Sequence, residues 1–121
     1  MALILVAEDT PEVAALVRDV LEARGHQVAM AADGVQMIER AKSLKPRLIV
    51  SDILMPGAYG SSAYKALQDD PHTKGIPVLF LTGVDPAAAE KVVPKAPHVR
   101  VLFKPLDLGR FMAAVAELLP G

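Results

Sequence analysis

Short apolar segments alternate along the chain with longer segments whose apolar residues recur every three to four positions. The first apolar segment, LILVA from Leu3 to Ala7, has no polar position, which is typical of a strand buried on both faces of a parallel sheet. The next segment predicts a helix, because Thr10 can cap it, Pro11 suits its first position and Gly25 ends it. The expected inward stripe of this helix is Val13, Leu16, Val17, Val20 and Leu21.

The same alternation recurs four more times. The predicted strands are Gln27 to Ala31, the RLIVS segment ahead of Asp52, Ile76 to Thr82, and Val99 to Phe103. The predicted helices are Gly34 to Lys45, Ser61 to Asp69, Pro86 to Val93, and about Leu106 to Leu119. Pro94 and Pro97 cut the third of these helices short. Leu44 and Leu108 are among the residues expected to face inward.

Five strand and helix pairs in strict alternation predict an α/β fold. The expected architecture is a doubly wound, five-stranded parallel sheet with helices on both faces, joined by right-handed crossovers. With 121 residues, a single domain spanning residues 1–121 is expected. In sheets of this kind the loops at the carboxyl ends of the strands build the functional site. Those loops are therefore where chemistry is expected.

Composition and charge exclude several classes of function. The formal net charge of -1, with both signs interspersed, gives no basic face for a phosphate backbone, so we expect no direct nucleic-acid binding. The absence of cysteine excludes disulfides and thiolate metal sites. The N-terminal sequence MALILVAED has no positive region, and its apolar run is far shorter than the ~18 residues of a membrane span. We therefore expect a cytoplasmic protein without membrane contact.

Polar residues follow or end four of the predicted strands at their carboxyl ends. Glu8 and Asp9 follow the first strand, Asp52 the third and Lys104 the fifth, and Thr82 ends the fourth. Because the carboxyl ends of parallel strands meet at one edge of the sheet, we expect these side chains to converge. Three carboxylates repel one another without a cation, and all-oxygen ligands favour a hard ion such as Mg²⁺. The sequence therefore predicts a magnesium site.

This constellation suits phosphoryl transfer. Asp52 is the candidate nucleophile and would take the phosphoryl group in line, as an acyl phosphate. Mg²⁺ and Lys104 would neutralise that group, and Thr82 would hydrogen-bond one of its oxygens. Each residue alone has a structural explanation, since acids suit helix N-termini and aspartate suits turns. Their coincidence at four strand ends favours the functional interpretation.

The sequence resembles the receiver domains of bacterial two-component response regulators over essentially its whole length. The matching segments are VAEDTP, SDILMPGAYG, FLTG and LFKP. The resemblance implies a flavodoxin-like (βα)5 fold and a role in phosphorelay signal transduction. It implies that a sensor histidine kinase or a histidine phosphotransfer protein phosphorylates the domain, which then changes conformation and controls an output partner. It also implies a protein that catalyses only its own phosphorylation and dephosphorylation, and is otherwise not an enzyme.

The resemblance also implies a role for each matching residue at the metal site. Asp52 corresponds to the phosphoacceptor and to a metal ligand. Asp9 corresponds to a direct Mg²⁺ ligand, and Glu8 to a ligand that acts mainly through water. The backbone carbonyl of Leu54 corresponds to a further ligand.

Around the phosphoryl group, Thr82 corresponds to the family's switch hydroxyl and Lys104 to its phosphate-binding lysine. The resemblance implies a cis bond between Lys104 and Pro105, and a small residue at Gly83 that lets the phosphodonor approach. One departure concerns signalling. The family commonly has Tyr or Phe three residues before the lysine, where this chain has Val101.

Three other interpretations remain open. A pseudo-receiver would bind a partner without being phosphorylated, although the complete carboxylate, threonine and lysine set argues against it. A flavodoxin-like nucleotide binder would need a first loop that presents hydroxyls and amides to a phosphate group, and Glu8 and Asp9 would repel such a group. A phosphohydrolase with an aspartyl nucleophile would be expected to carry that nucleophile after the first strand.

Overall fold

The computed structural model of the protein describes residues 2–55, 58–83, 85–87 and 97–119. The strands are β1 (Leu3–Ala7), β2 (Gln27–Ala31), β3 (Leu48–Asp52), β4 (Leu54–Met55), β5 (Ala58–Tyr59), β6 (Val78–Thr82) and β7 (Val99–Phe103). The helices are α1 (Pro11–Ala23), α2 (Gly34–Leu44), α3 (Gly60–Gln68) and α4 (Leu108–Leu118). The helix predicted from Pro86 to Val93 lies outside the described residues from position 88 onward, and residues 86–87 are helical.

Five strands form one parallel sheet in the order β2-β1-β3-β6-β7. This order confirms the predicted doubly wound sheet, because the chain first adds β2 on one side of β1 and then continues on the other side. The direction reverses between β1 and β3, which pair from Ile4 with Leu48 to Ala7 with Ser51. The rule for such sheets places a ligand crevice outside the carboxyl ends of these two strands.

Among the described residues, two helices pack on each face of the sheet. On one face α1 and α4 bury a cluster that includes Val17, Leu21, Phe111 and Val115 against even-numbered residues of β3. On the other face α2 and α3 bury a cluster that includes Met37, Ala41, Tyr64 and Leu67 against odd-numbered residues of β3. Burial on both faces explains why β1, β3 and β6 carry almost no polar residue before their last position.

Three leucines predicted to face inward do not. Leu16 in α1, Leu44 in α2 and Leu108 in α4 are 42%, 43% and 42% exposed. The buried stripe of α1 is centred on Ala14, Val17 and Leu21, so Leu16 lies at its flank. The helical period of apolar residues shows that a helix has a buried face. It does not show how wide that face is, because the width depends on the neighbouring elements that cover it.

Two helix starts also differ in detail from the predictions. Thr10 occupies the N-cap position of α1, but its side chain makes no capping hydrogen bond. The last helix begins at Leu108 rather than Leu106, because the Asp107 side chain accepts a hydrogen bond of 3.0 Å from the Arg110 amide and caps it. The strand pair β4 and β5 was not predicted. It is a two-residue antiparallel ladder in which Leu54 pairs with Tyr59.

No helix in the described ranges is long and apolar enough to cross a membrane.

The turn between α1 and β2 is closed by a C-terminal capping motif. The His26 amide donates to the Leu21 carbonyl at 3.1 Å, and the Gly25 amide donates to the Glu22 carbonyl at 3.0 Å. This pair of hydrogen bonds requires a residue in the left-handed conformation after the cap, and Gly25 has a φ of 88°. His26 also ties down the chain's beginning, because its Nδ1 accepts a hydrogen bond of 3.2 Å from the Ala2 amide.

His26 should make the stability of the fold depend on pH. Burial lowers the pKa of the His26 imidazole below its usual value of 6.5. The folded state therefore binds fewer protons than the unfolded state below that pH, and the stabilisation present above pH 6.5 is lost as the pH falls through the folded-state pKa. We expect a loss of about 0.5–1 kcal/mol from the hydrogen bond to Ala2, measured by urea unfolding between neutral and mildly acidic pH.

The variant His26→Asn provides the control, because an amide oxygen can accept the same hydrogen bond without titrating. Its free energy of unfolding should fall less than that of the wild type over the same pH range. Parallel pH curves for the two proteins would show that His26 does not contribute this dependence.

Candidate functional site

Three carboxylates meet at the carboxyl edge of the sheet, outside the strand ends where the order reverses. Glu8 and Asp9 follow β1, and Asp52 is the last residue of β3. Each of the three offers a carboxylate oxygen, and these oxygens lie within 4.8 Å of one another. Glu8 and Asp52 are buried and Asp9 is exposed, so the cluster has an inner part and one member open to water. The convergence predicted for these residues is therefore present.

The ammonium group of Lys104 lies between the two buried carboxylates. Its Nζ donates a hydrogen bond of 3.1 Å to Asp52 Oδ2 and lies 3.0 Å from Glu8 Oε1. The contact with Glu8 is an ion pair in which the Glu8 side chain is almost fully buried. Lys104 follows β7, which lies two strands away from β3 in the sheet. The lysine therefore reaches across the strand end of β6.

The Glu8 carboxylate is held by both of its oxygens. Oε2 accepts a hydrogen bond of 3.0 Å from the Thr10 amide, which fixes the rotamer and directs Oε1 toward Lys104. Burial raises the pKa of the Glu8 carboxyl above its usual 4.5, and the negative charge of Asp52 adds to this. The Thr10 amide and Lys104 act in the opposite direction. Thr10 therefore contributes to the site through its amide, while its side chain makes no capping hydrogen bond to α1.

Lys104 remains charged despite its partly buried position. Burial alone would lower the pKa of its ammonium, but the contacts with Glu8 and Asp52 outweigh it and raise the pKa above the usual 10.5. The bond between Lys104 and Pro105 is cis, as the sequence resemblance implied. The Lys104 amide donates a hydrogen bond of 2.7 Å to the Thr82 carbonyl, which joins the ends of β6 and β7.

The remaining predicted residues lie around this cluster. Thr82 is the last residue of β6 and is fully buried. Gly83 is exposed, and a Cβ added to it would meet no heavy atom within 4 Å among the described residues. Leu54 stands two residues after Asp52 in β4, close along the chain to the cluster. Val101 is half-buried in β7 and packs against the core between the sheet and α2 and α3.

One residue beside the site carries a polar contact that the sequence pattern did not single out. Ser51 is fully buried in β3, and its Oγ donates a hydrogen bond of 2.8 Å to the carbonyl of Asp52. A serine within an apolar strand was the available indication, because a buried hydroxyl needs a partner. The identity of that partner depends on backbone geometry at the strand end, which no spacing rule supplies.

The donor set fits a hard divalent cation. Three carboxylates face one ammonium, which leaves an excess of negative charge, and all the available ligand atoms are oxygens. Glu8 Oε1 is buried without a hydrogen-bond partner in the described part of the chain, although it lies beside Lys104. A buried carboxylate oxygen with unused lone pairs is costly unless another cation or donor satisfies it. These are properties of a metal site of the magnesium type.

Comparisons with known proteins agree with this geometry. The chain is 34% identical to protein PilH of Pseudomonas aeruginosa over 122 residues, with all of both chains covered. It superposes with a TM-score of 0.87 on the signal receiver domain of a signal transduction histidine kinase from Syntrophus aciditrophicus, at 29% identity, covering 98% and 90% of the two chains. It superposes with a TM-score of 0.89 on the chemotaxis response regulator CheY4 of Vibrio cholerae, at 25% identity, covering 98% and 99%.

The family model for the response regulator receiver domain matches residues 4–116. This range runs from the second residue of β1 to the last turn of α4, and so it includes residues of all five strands of the parallel sheet and every member of the acidic cluster. The fold, the edge at which the carboxylates meet and the sequence comparison lead to one assignment. The chain belongs to the response regulator receiver domain family.

Proposed function

We propose that Asp52 accepts a phosphoryl group from a histidine kinase or a histidine phosphotransfer protein in a Mg²⁺-dependent reaction, and that the resulting change of conformation controls a partner. The observation that carries the proposal is the contact of Lys104 Nζ with Asp52 Oδ2 at 3.1 Å, inside a cluster of three carboxylates. A lysine whose ammonium contacts the nucleophilic carboxylate is placed to neutralise the charge of an incoming phosphoryl group.

In the proposed reaction an oxygen of the Asp52 carboxylate forms a bond to phosphorus as the bond from phosphorus to the donor nitrogen breaks. The product is an acyl phosphate, and the donor imidazole leaves as a neutral ring because its other nitrogen carries a proton. Lys104 would shift from Asp52 Oδ2 to the phosphoryl oxygens, because the carboxyl group of Asp52 no longer carries a negative charge once it is phosphorylated. The exposed Gly83 supports access of a donor from the solvent side.

Glu8, Asp9 and Asp52, together with the Leu54 carbonyl, would hold Mg²⁺. When bound, the ion supplies positive charge against which a phosphoryl group can approach three carboxylates. Asp9 is the exposed member and is open to direct ligation, whereas Glu8 keeps one oxygen on the Thr10 amide. This difference supports a water-mediated role for Glu8 and a direct role for Asp9.

Thr82 and Lys104 would report the phosphorylated state. Thr82 is buried at the end of β6, where it pairs with Phe103 of β7. Lys104 is the residue after Phe103, so Thr82 and Lys104 are neighbours across the strand ends. We propose that the Thr82 hydroxyl turns to a phosphoryl oxygen and draws the loop of residues 83–85 with it. Val101 is too small to swing between a filled pocket and solvent with much difference in free energy, so the loop carries the change.

The proposed partners are a histidine kinase or phosphotransfer protein in the cytoplasm and an output protein or domain. The histidine kinase named in the Syntrophus comparison contains a receiver domain itself, so both separate and fused arrangements occur among similar proteins. We propose that the chain has no turnover of an external substrate beyond its own phosphorylation and dephosphorylation. A pseudo-receiver is the outcome to be tested against this function.

Phosphorylation should require both Asp52 and Mg²⁺. Incubation with acetyl phosphate and Mg²⁺ should add the mass of one phosphoryl group, because without a metal ion the excess negative charge of the cluster repels the dianion at short range. Asp52→Asn should abolish the mass shift, and chelation should suppress it. Asp33→Asn is the matched control, since Asp33 is an acid at the same edge that caps α2 outside the cluster. Absence of labelling in the wild type would support the pseudo-receiver, and equal labelling of Asp52→Asn and wild type would contradict the assignment of Asp52 as the phosphoacceptor.

Removing the lysine should increase the response to Mg²⁺. In Lys104→Gln the oxygens of Asp52 and Glu8 lose their competing cation, so the metal should bind more tightly. A tenfold gain in affinity corresponds to about 1.4 kcal/mol more stabilisation by saturating Mg²⁺. Thermal unfolding of both proteins with and without Mg²⁺ measures this difference. A smaller Mg²⁺-induced rise in Tm for Lys104→Gln than for wild type would contradict the shared site.

Loss of the Thr82 hydroxyl should separate phosphorylation from the conformational change. Thr82→Val keeps the branched shape in a fully buried position but removes the hydroxyl, so the domain should lose some stability and still fold and accept the phosphoryl group. The amide NMR shifts of Gly83 and Asp85 on phosphorylation should be smaller than in wild type. Val101→Ala is the control and should leave those shifts unchanged. Large shifts in Thr82→Val, with loss of shifts in Val101→Ala, would overturn the proposed switch.

A further inference from the structure

Ser51 is a polar residue in β3, the central strand of the sheet, in which all five residues are buried. It pairs with Ala7 of β1 on one side and with Phe80 of β6 on the other, and its side chain is fully buried. The preceding residue, Val50, is also buried. Placing a hydroxyl in such surroundings costs free energy unless the hydroxyl is hydrogen-bonded. The position of that hydrogen bond is therefore informative.

The hydroxyl is directed at the backbone of the phosphoacceptor. Ser51 Oγ donates to the Asp52 carbonyl oxygen at 2.8 Å, in a fully enclosed contact. That carbonyl belongs to the peptide unit that joins Asp52 to Ile53, whose side chain is anchored in the core at 1% exposure. The next residue along the chain, Leu54, begins β4. The bond thus fixes the peptide plane at the point where the strand leaves the sheet.

We propose that Ser51 is a positioning residue for the phosphoacceptor and its metal site, and this inference rests on the proposed function. The side chain itself faces the α2 and α3 side, with the odd-numbered residues of β3, and does not enter the acidic cluster. It acts by holding the peptide plane after Asp52, which sets both the direction of the Asp52 carboxylate and the path to the Leu54 carbonyl. Groups that hold metal ligands in place contribute to affinity without touching the metal.

A purely structural role for Ser51 makes a different prediction, and the chain supplies a matched control for it. Thr73 is also fully buried, and its Oγ1 donates a hydrogen bond of 2.7 Å to a main-chain carbonyl, that of Leu67. Thr73 lies in the turn after α3, ahead of the amino end of β6, whereas the acidic cluster lies at the carboxyl edge. Loss of either hydroxyl should destabilise the fold, but only Ser51 should affect the site.

The experiment compares Ser51→Ala and Thr73→Ala with the wild type in three measurements. These are urea unfolding without metal, Mg²⁺ affinity by calorimetric titration, and the rate of phosphoryl incorporation from acetyl phosphate. Both variants should lose stability. Ser51→Ala should lose about tenfold in Mg²⁺ affinity and in rate, the usual scale for residues that orient metal ligands. Thr73→Ala should match the wild type in both quantities.

Ser51→Cys provides a second variant if Ser51→Ala does not fold, because a thiol fills similar space but is a weaker donor. It should show a smaller loss of Mg²⁺ affinity and rate in the same direction. Wild-type values in the folded Ser51 variants, or losses equal to those of Thr73→Ala, would overturn the positioning role. Absence of labelling in the wild type would overturn the proposed function itself, while the Mg²⁺ titration would still decide whether Ser51 orients the site.

Discussion

Burial of the parallel sheet on both faces is the constraint on which the other features depend. A strand enclosed between two helix layers has no room for an unpaired charge, so charged groups can stand only where the strands end. Glu8 and Asp52 mark the limit of this rule, with 5% and 7% of their surface exposed. Lys104 makes that degree of burial tolerable, because one ammonium contacts both carboxylates.

The same contact keeps the site in an electrostatic balance that is easily shifted. The carboxyl of Glu8 has a raised pKa because it is buried near Asp52, while the ammonium of Lys104 has a raised pKa because it faces both. A cation brought to the carboxylates competes with the lysine for the same oxygens. An anion attached to Asp52 would instead attract the lysine. Under the proposed function, the ion pairs of Lys104 would therefore change when a metal ion or a phosphoryl group arrives.

Most of the fold was predictable from the sequence, because buried strands and amphipathic helices leave different apolar periods. The strand from Val99 to Phe103 and that from Gln27 to Ala31 have the predicted bounds. The exposed leucines at positions 16, 44 and 108 were not predictable, since helix periodicity does not give the width of the covered face. The β4 and β5 pair was missed because a ladder of two residues leaves no repeat to detect.

The candidate site was predictable to the level of which residues meet, since topology brings the strand ends together. The internal contacts were not. That Thr10 presents its amide to Glu8, rather than its side chain to the helix, depends on a loop geometry that residue types do not specify. The hydrogen bond of Ser51 to its neighbour's carbonyl has the same origin. Spacing predicts where groups gather, and rotamers decide which atoms touch.

The open space around Gly83 indicates that folding and function place different demands on this residue. A methyl group added there would meet nothing within 4 Å among the described residues, so folding alone places little demand on this position. Screens that read only abundance or solubility would pass over substitutions at Gly83, since a destabilised chain is what such screens detect. Pressure on the residue would come from molecules that visit the cleft. Under the proposed function, access of a phosphodonor to Asp52, rather than folding, would limit which residues can replace Gly83.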